Sequence, residues 1–284
     1  MNITAAQVNE LRKKTGAGMM DCKKALVEAD GNMEKAIEIL RKKGASIAAK
    51  RAEKSANEGV VLTKILDGKK AGAIVEVNCE TDFVANSADF LNFANKVLET
   101  VIVKKASDVE KILSEDSLKE KLNEVVAKVG EKTEISRCKY ENADNGMLVD
   151  YVHPGSKLGV LLKFDDVQED INNFSDLAKD IAMQIAAMNP LCVARNEVPK
   201  DVIEKEIEIY KEVARKEKKP ENILDKIAQG KLNKFYQENC LLEQAFIKDN
   251  SKNISDIIEE FNSNNGMHAK IDKFYRFHLG DEEK

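Results

Sequence analysis

Gly59-Val60-Val61-Leu62-Thr63-Lys64-Ile65-Leu66-Asp67-Gly68-Lys69-Lys70-Ala71-Gly72-Ala73-Ile74-Val75-Glu76-Val77 decides how the rest of the chain is read. Two apolar runs of about six residues flank Asp67-Gly68, the pattern of a β-hairpin. Its glycines return 87 residues later: Gly59, Gly68 and Gly72 match Gly146, Gly155 and Gly159. The runs between them keep step. Val60, Val61 and Leu62 match Met147, Leu148 and Val149, and Ile74, Val75 and Val77 match Leu161, Leu162 and Phe164. The second hairpin turns at His153-Pro154-Gly155. An amphipathic helix follows each hairpin, with Phe90, Ala94 and Leu98 matching Leu177, Ile181 and Ile185 at i, i+4, i+8. One architecture is used twice.

Between the first hairpin and its helix lies Cys79-Glu80-Thr81-Asp82-Phe83-Val84-Ala85-Asn86. Phe83 follows a carboxylate in a polar connection, so it either folds back as a satellite core residue or stands exposed for use. The matching offset in the second copy holds Glu169-Asp170, so the unit folds without an aromatic there. Asp82-Phe83 is therefore expected to be exposed and functional.

Outward from the repeat, residues 1–44 read as three short helices. Thr4 caps the first with Gln7 three residues on, Gly16-Ala17-Gly18 breaks it, and Asp21 caps the second. Asp30-Gly31-Asn32 is a turn, and Gly44 ends the third helix. Met19-Met20, in the turn between the first two helices, are adaptable thioethers suited to a partner surface or ordinary core residues. Residues 45–58 form a polar helical linker; 59–140 hold the first copy; 141–198 and 237–284 hold the second. Asp108 to Gly130 is helical with a break at Ser117. In 199–236, Ile203, Ile207, Tyr210 and Ala214 and then Leu224, Ala228, Leu232 and Phe235 place narrow seams on two charged helices around Lys219-Pro220-Glu221. That is an antiparallel coiled-coil hairpin about 30 Å long. Lys270 to Leu279 alternates as a strand able to complete the second sheet. The fold class is α+β.

Of the 284 residues a third are charged, yet the net charge is −5, which favours neither nucleic acid nor a membrane surface as partner. The basic clusters at 12–14, 41–43 and 50–54 read as solvated helix faces. Five scattered cysteines form neither a disulfide framework nor a zinc site. No signal-peptide core and no run of 18 apolar residues occur, so a cytoplasmic protein is expected. Three histidines (His153, His268, His278) show no metal spacing, and no phosphate loop or nucleophile motif is present, so neither enzyme chemistry nor a cofactor is indicated. His153 is a turn residue or a partner contact.

Three motifs carry a resemblance. Leu11-Arg12-Lys13-Lys14-Thr15-Gly16-Ala17-Gly18-Met19-Met20-Asp21-Cys22-Lys23-Lys24-Ala25-Leu26, Glu76 to Ala85, and His153-Pro154-Gly155 with Gly159-Val160-Leu161 resemble the bacterial elongation factor Ts family over nearly the whole chain. The resemblance implies a guanine-nucleotide exchange factor that releases GDP from elongation factor Tu and has no nucleotide site of its own. Thr81, Asp82, Phe83 and Val84 match the family's intruding segment, whose aromatic wedges into the GTPase domain and disturbs its magnesium. Arg12, Met19 and Met20 match contacts to that domain, Arg51 and Val129-Gly130 match contacts near the core, and His153 matches one facing another domain of the partner. The coiled coil is implied to be a partner contact or a dimerisation element of the binary complex. Arg51 stands where lysine is also found, and a guanidinium differs in donor geometry. Some relatives add a C-terminal helical segment that docks on the partner; with Lys284 the last residue, that contact is expected to be missing. The alternative is a non-catalytic adaptor, with a ubiquitin-associated-like domain using Met19 and Met20 as a peptide-binding loop.

Overall fold

The computed structural model describes residues 3–167 and 174–281. Helix α1 (Ala5–Thr15) opens on a capping box: Thr4 accepts the Gln7 amide while the Gln7 side chain accepts the Thr4 amide. Gly16, left-handed at φ 67°, closes it. Helix α2 (Met19–Glu28) starts directly behind Gly18 and not at Asp21, which sits in its first turn where a carboxylate suits the helix dipole. Met19 and Met20 are therefore helical residues and not part of a turn. Helix α3 (Met33–Arg51), capped by Asn32, runs straight through Gly44.

Strand β1 (Glu58–Ile65) pairs antiparallel with β2 (Ala71–Cys79). After β2 come α4 (Asp82–Ala85), α5 (Ala88–Lys104), α6 (Val109–Leu113) and α7 (Asp116–Val129). The helical break falls between Leu113 and Asp116, before Ser117 rather than at it. Gly44 explains why α3 does not stop there. A Cβ on Gly44 would stand 2.7 Å from the Asn123 carbonyl of α7, so this glycine permits helix contact and the local cost of about 1 kcal/mol is tolerated.

Strand β3 (Thr133–Asn142), which the sequence pattern did not announce, joins the other side of β2 in the order β1-β2-β3. The second copy has β4 (Gly146–Val152), β5 (Leu158–Asp165) and α8 (Phe174–Met188). Helices α9 (Lys200–Lys216) and α10 (Leu224–Asn239), strands β6 (Ala245–Phe246) and β7 (Asp249–Asn253), and helix α11 (Ile254–Asn265) then precede β8 (Lys270–His278). As its alternation suggests, β8 completes the second sheet in the order β4-β5-β8. The duplication reaches into the irregularities: register shifts fall at Glu76/Val77 against β3 and at Lys163/Phe164 against β8. Its glycines recur for one reason. A Cβ on Gly59 would meet the Val77 carbonyl oxygen at 2.1 Å, and one on Gly146 the Phe164 carbonyl oxygen at 1.8 Å.

The two sheets pack face to face between outer helices, giving four layers, α-β-β-α. Val60, Ala73, Val75 and Val77 face Phe90, Ala94, Val97 and Leu98 of α5. The opposite faces bring Val61 and Ile74 against Leu148, Leu161 and Phe277. On the far side Val160, Leu162 and Phe164 meet Phe174, Ile181 and Ile185 of α8. With both faces covered, the central strands are mostly apolar, and their polar members are paired: Glu76 of β2 with Arg137 and Lys163 of β5 with Asp272. Leu177, expected in that core, is half-buried, and Phe174 takes the inner place with its ring edge-on to Phe164 at 5.0 Å. The Glu169-Asp170 comparison lies outside the described residues.

Helices α9 and α10 pair as a hairpin about 25 Å long by the rise per residue. Ala214, Leu224, Ala228 and Leu232 are buried along it, while Ile203, Ile207, Tyr210 and Phe235 are half-buried. Lys211–Asp225 and Arg215–Glu221 ion pairs tie its free end.

Candidate partner-binding site

Cys79 ends β2, and Thr81, in extended backbone, caps α4 by accepting the Val84 amide at 3.4 Å. Four residues cannot hold a helix by themselves, since nucleation outweighs so few hydrogen bonds. Packing supplies part of the remainder. Ala85 is buried in the first-copy core and Val84 packs against it, which aims Phe83 the other way. Phe83 is 85% exposed, the most exposed large apolar side chain among the described residues, so it is no satellite of the core.

Polar contacts supply the rest. Thr81 donates its amide to Glu131 Oε2 at 3.0 Å and its hydroxyl to Glu131 Oε1 at 2.9 Å. Glu80 accepts Arg51 Nη1 on both oxygens, at 2.7 and 2.9 Å, and the Lys132 amide at 2.6 Å. The Lys132 amide and then the Arg51 guanidinium hold the Glu80 carboxyl below its ordinary range. Burial, aided by Glu131, pushes the neighbouring Cys79 thiol up to about 12, which makes it a poor nucleophile at neutral pH.

Asp82 is exposed and close enough to Lys157 to help hold that ammonium charged, a role in which Glu58, 2.6 Å from Lys157, is the larger influence. Lys157 belongs to the second-copy turn that carries His153. His153 is exposed, with Nδ1 2.9 Å from the Tyr151 hydroxyl. On the three-helix unit, α2 buries Cys22, Ala25 and Leu26, leaving Met19 and Met20 54% and 63% exposed; Arg12 extends from the last turn of α1. Lys128 connects the regions: its side chain lies over Gly16 and bonds Asp89 at the start of α5, 3.0 Å away.

The structure thus gathers Arg51, Thr81, Asp82, Phe83, Val84, Val129 and Gly130 around one corner, with the His153 turn beside it and Arg12, Met19 and Met20 on the adjoining unit. Glu80, Glu131, Lys132 and Lys157 escaped the sequence reading. Glu80 adjoins the tip but its partners do not, and no local spacing links Glu131, 50 positions from Thr81, to it. Among the described residues no three His, Cys, Asp or Glu side chains cluster to hold a metal ion, and no helix is long and apolar enough to cross a membrane.

The candidate site is an exposed aromatic held on a braced tip beside a charged turn, with exposed thioethers on the adjoining three-helix unit. Comparison with known proteins identifies the group. The family model described as Elongation factor TS matches residues 80–281. The chain is 45% identical to the elongation factor Ts of Chlorobium phaeobacteroides (strain BS1), over 98% of this chain and 99% of the relative. It is 44% identical to those of Chloroherpeton thalassium (strain ATCC 35110 / GB-78), with 99% of each chain covered, and of Clostridium perfringens (strain SM101 / Type A), with 98% and 93% covered. The chain belongs to the elongation factor Ts family of translation elongation.

Proposed function

We propose that the chain is the guanine-nucleotide exchange factor for elongation factor Tu, promoting GDP release by pressing Phe83 into the GTPase domain and disturbing its magnesium and phosphate site. The observation that carries this is the 85% exposure of Phe83 between residues that are themselves anchored. Asp82 accompanies the ring as the charged member of the intruding pair. Arg12, Met19 and Met20 form a second contact to the GTPase domain, Val129 and Gly130 extend the first, and His153 faces another domain of the partner. Arg51 belongs to the same corner, with its guanidinium engaged by Glu80. The helical hairpin, read as a coiled coil, is a further contact or a dimerisation element. The protein acts in the cytoplasm, with no cofactor, nucleic acid or membrane of its own.

Exchange of this kind is linkage and needs no covalent step. A protein that binds the nucleotide-free partner more tightly than the GDP form must be weakened by GDP to the same degree. A ten-thousandfold acceleration corresponds to about 5.5 kcal/mol of barrier. One buried aromatic contributes about 1.5–3 kcal/mol, so the ring accounts for part and the other contacts for the remainder. Phe83→Ala is expected to slow stimulated release of labelled GDP about tenfold to a hundredfold while leaving the circular dichroism melt unchanged. Undiminished stimulation would refute the wedge. An adaptor, the rival assignment, would bind the partner without altering nucleotide lifetime in the same assay.

A further inference from the structure

We infer that Glu131 is a positioning residue for the Phe83 tip, acting with the Glu80–Arg51 pair; the functional part of this inference rests on the exchange reading above. The tip needs an external brace. Helix α4 is four residues long, capped by Thr81 at its start and by Asn86 on the Asp82 carbonyl at its end, and its outward side chain, Phe83, is 85% exposed. The brace comes from far along the chain. Glu131 and Lys132 form the short loop between the C-cap of α7, Gly130 at φ 72°, and β3, whose first residue Thr133 pairs with Cys79.

That loop grips both residues ahead of the ring. Glu131 takes the Thr81 amide on one oxygen and the Thr81 hydroxyl on the other, so the threonine cannot rotate without losing a bond and, with it, the cap on Val84. The Lys132 amide and Arg51, from the last turn of α3, hold Glu80 from two further directions. Two segments distant in sequence, the end of α3 and the loop between α7 and β3, converge on Glu80-Thr81. The ring leaves that fixed base. In this arrangement Arg51 works through Glu80, and Glu131 reaches the partner only through Phe83.

The brace is tested first on the free chain. Glu131→Ala should speed amide hydrogen exchange in residues 81–86 by about tenfold, with the rest of the protein and its melting temperature unchanged, and Glu131→Gln, which keeps an acceptor, should restore most of the protection. Unchanged exchange in 81–86 would overturn the inference. The second arm measures labelled-GDP release from elongation factor Tu at saturating factor, for Glu131→Ala, Arg51→Ala, Phe83→Ala and each double variant. Glu131→Ala should lower the maximal rate about tenfold when Phe83 is present and not at all in the Phe83→Ala background; equal losses in both backgrounds would overturn positioning. Failure of the unaltered chain to stimulate release counts against the exchange reading, while hydrogen exchange still decides whether the brace exists.

Discussion

Around Thr81 a few side chains settle which way Phe83 faces. The hydrophobic effect would pull a phenylalanine inward if the backbone allowed it, but Val84 and Ala85 already occupy the inward positions of a helix only one turn long. Glu80 contributes a pH dependence. Its carboxyl is held below the ordinary value, so the stabilisation it gives is complete above the unfolded-state value of about 4.3 and is lost as pH falls through the lower folded value. Urea midpoints for the unaltered chain and Glu80→Gln should therefore differ at pH 6 and converge once pH has fallen through the folded-state value of the Glu80 carboxyl. A gap that persists there would mean that the Lys132 and Arg51 contacts do not depend on the charge.

Between elements, close backbone approach sets the terms. Gly59 and Gly146 each lie against a carbonyl oxygen of the strand beside them, whereas a Cβ on Gly68, at a hairpin turn, would meet nothing within 4 Å. Gly146→Ala should cost about 2–4 kcal/mol. Gly68→Ala, strained only by its φ of 77°, should cost about 1 kcal/mol. Chemical denaturation distinguishes the two, and equal losses would contradict the close-approach account. The repeat glycines were legible as a pattern at a fixed offset, but their cause was not, because the partner carbonyl belongs to another strand. Strand β3 was missed for a related reason: Ser136, Arg137 and Lys139 interrupt its apolar positions, and its pairing with β2 spans some 60 residues.

Across the whole molecule, the three-helix unit is seated on the core through α3 and α7. Gly44 lets the two axes approach, and Arg41–Glu120 crosses the same junction at 3.3 Å. Gly44→Leu should push the helices apart without unfolding either body. The expected result is faster limited proteolysis within residues 52–57 and a larger radius of gyration by small-angle scattering; an unchanged radius would show that α7 accommodates the side chain. Since Arg51 ends the same helix that Gly44 seats, the variant should also loosen the Glu80 contact.

The sequence alone determined the duplication, the helical hairpin, the class of fold and the exposed position of Phe83, because each is written in local periodicity, in glycines or in a residue matched across two copies. Tertiary structure decided how α3 passes Gly44, where β3 lies and what braces the tip. Those depend on groups 29 or more positions apart meeting in space, as Arg51 meets Glu80, Thr81 meets Glu131 and Gly44 meets Asn123, and no local pattern encodes which distant group will arrive beside a given residue.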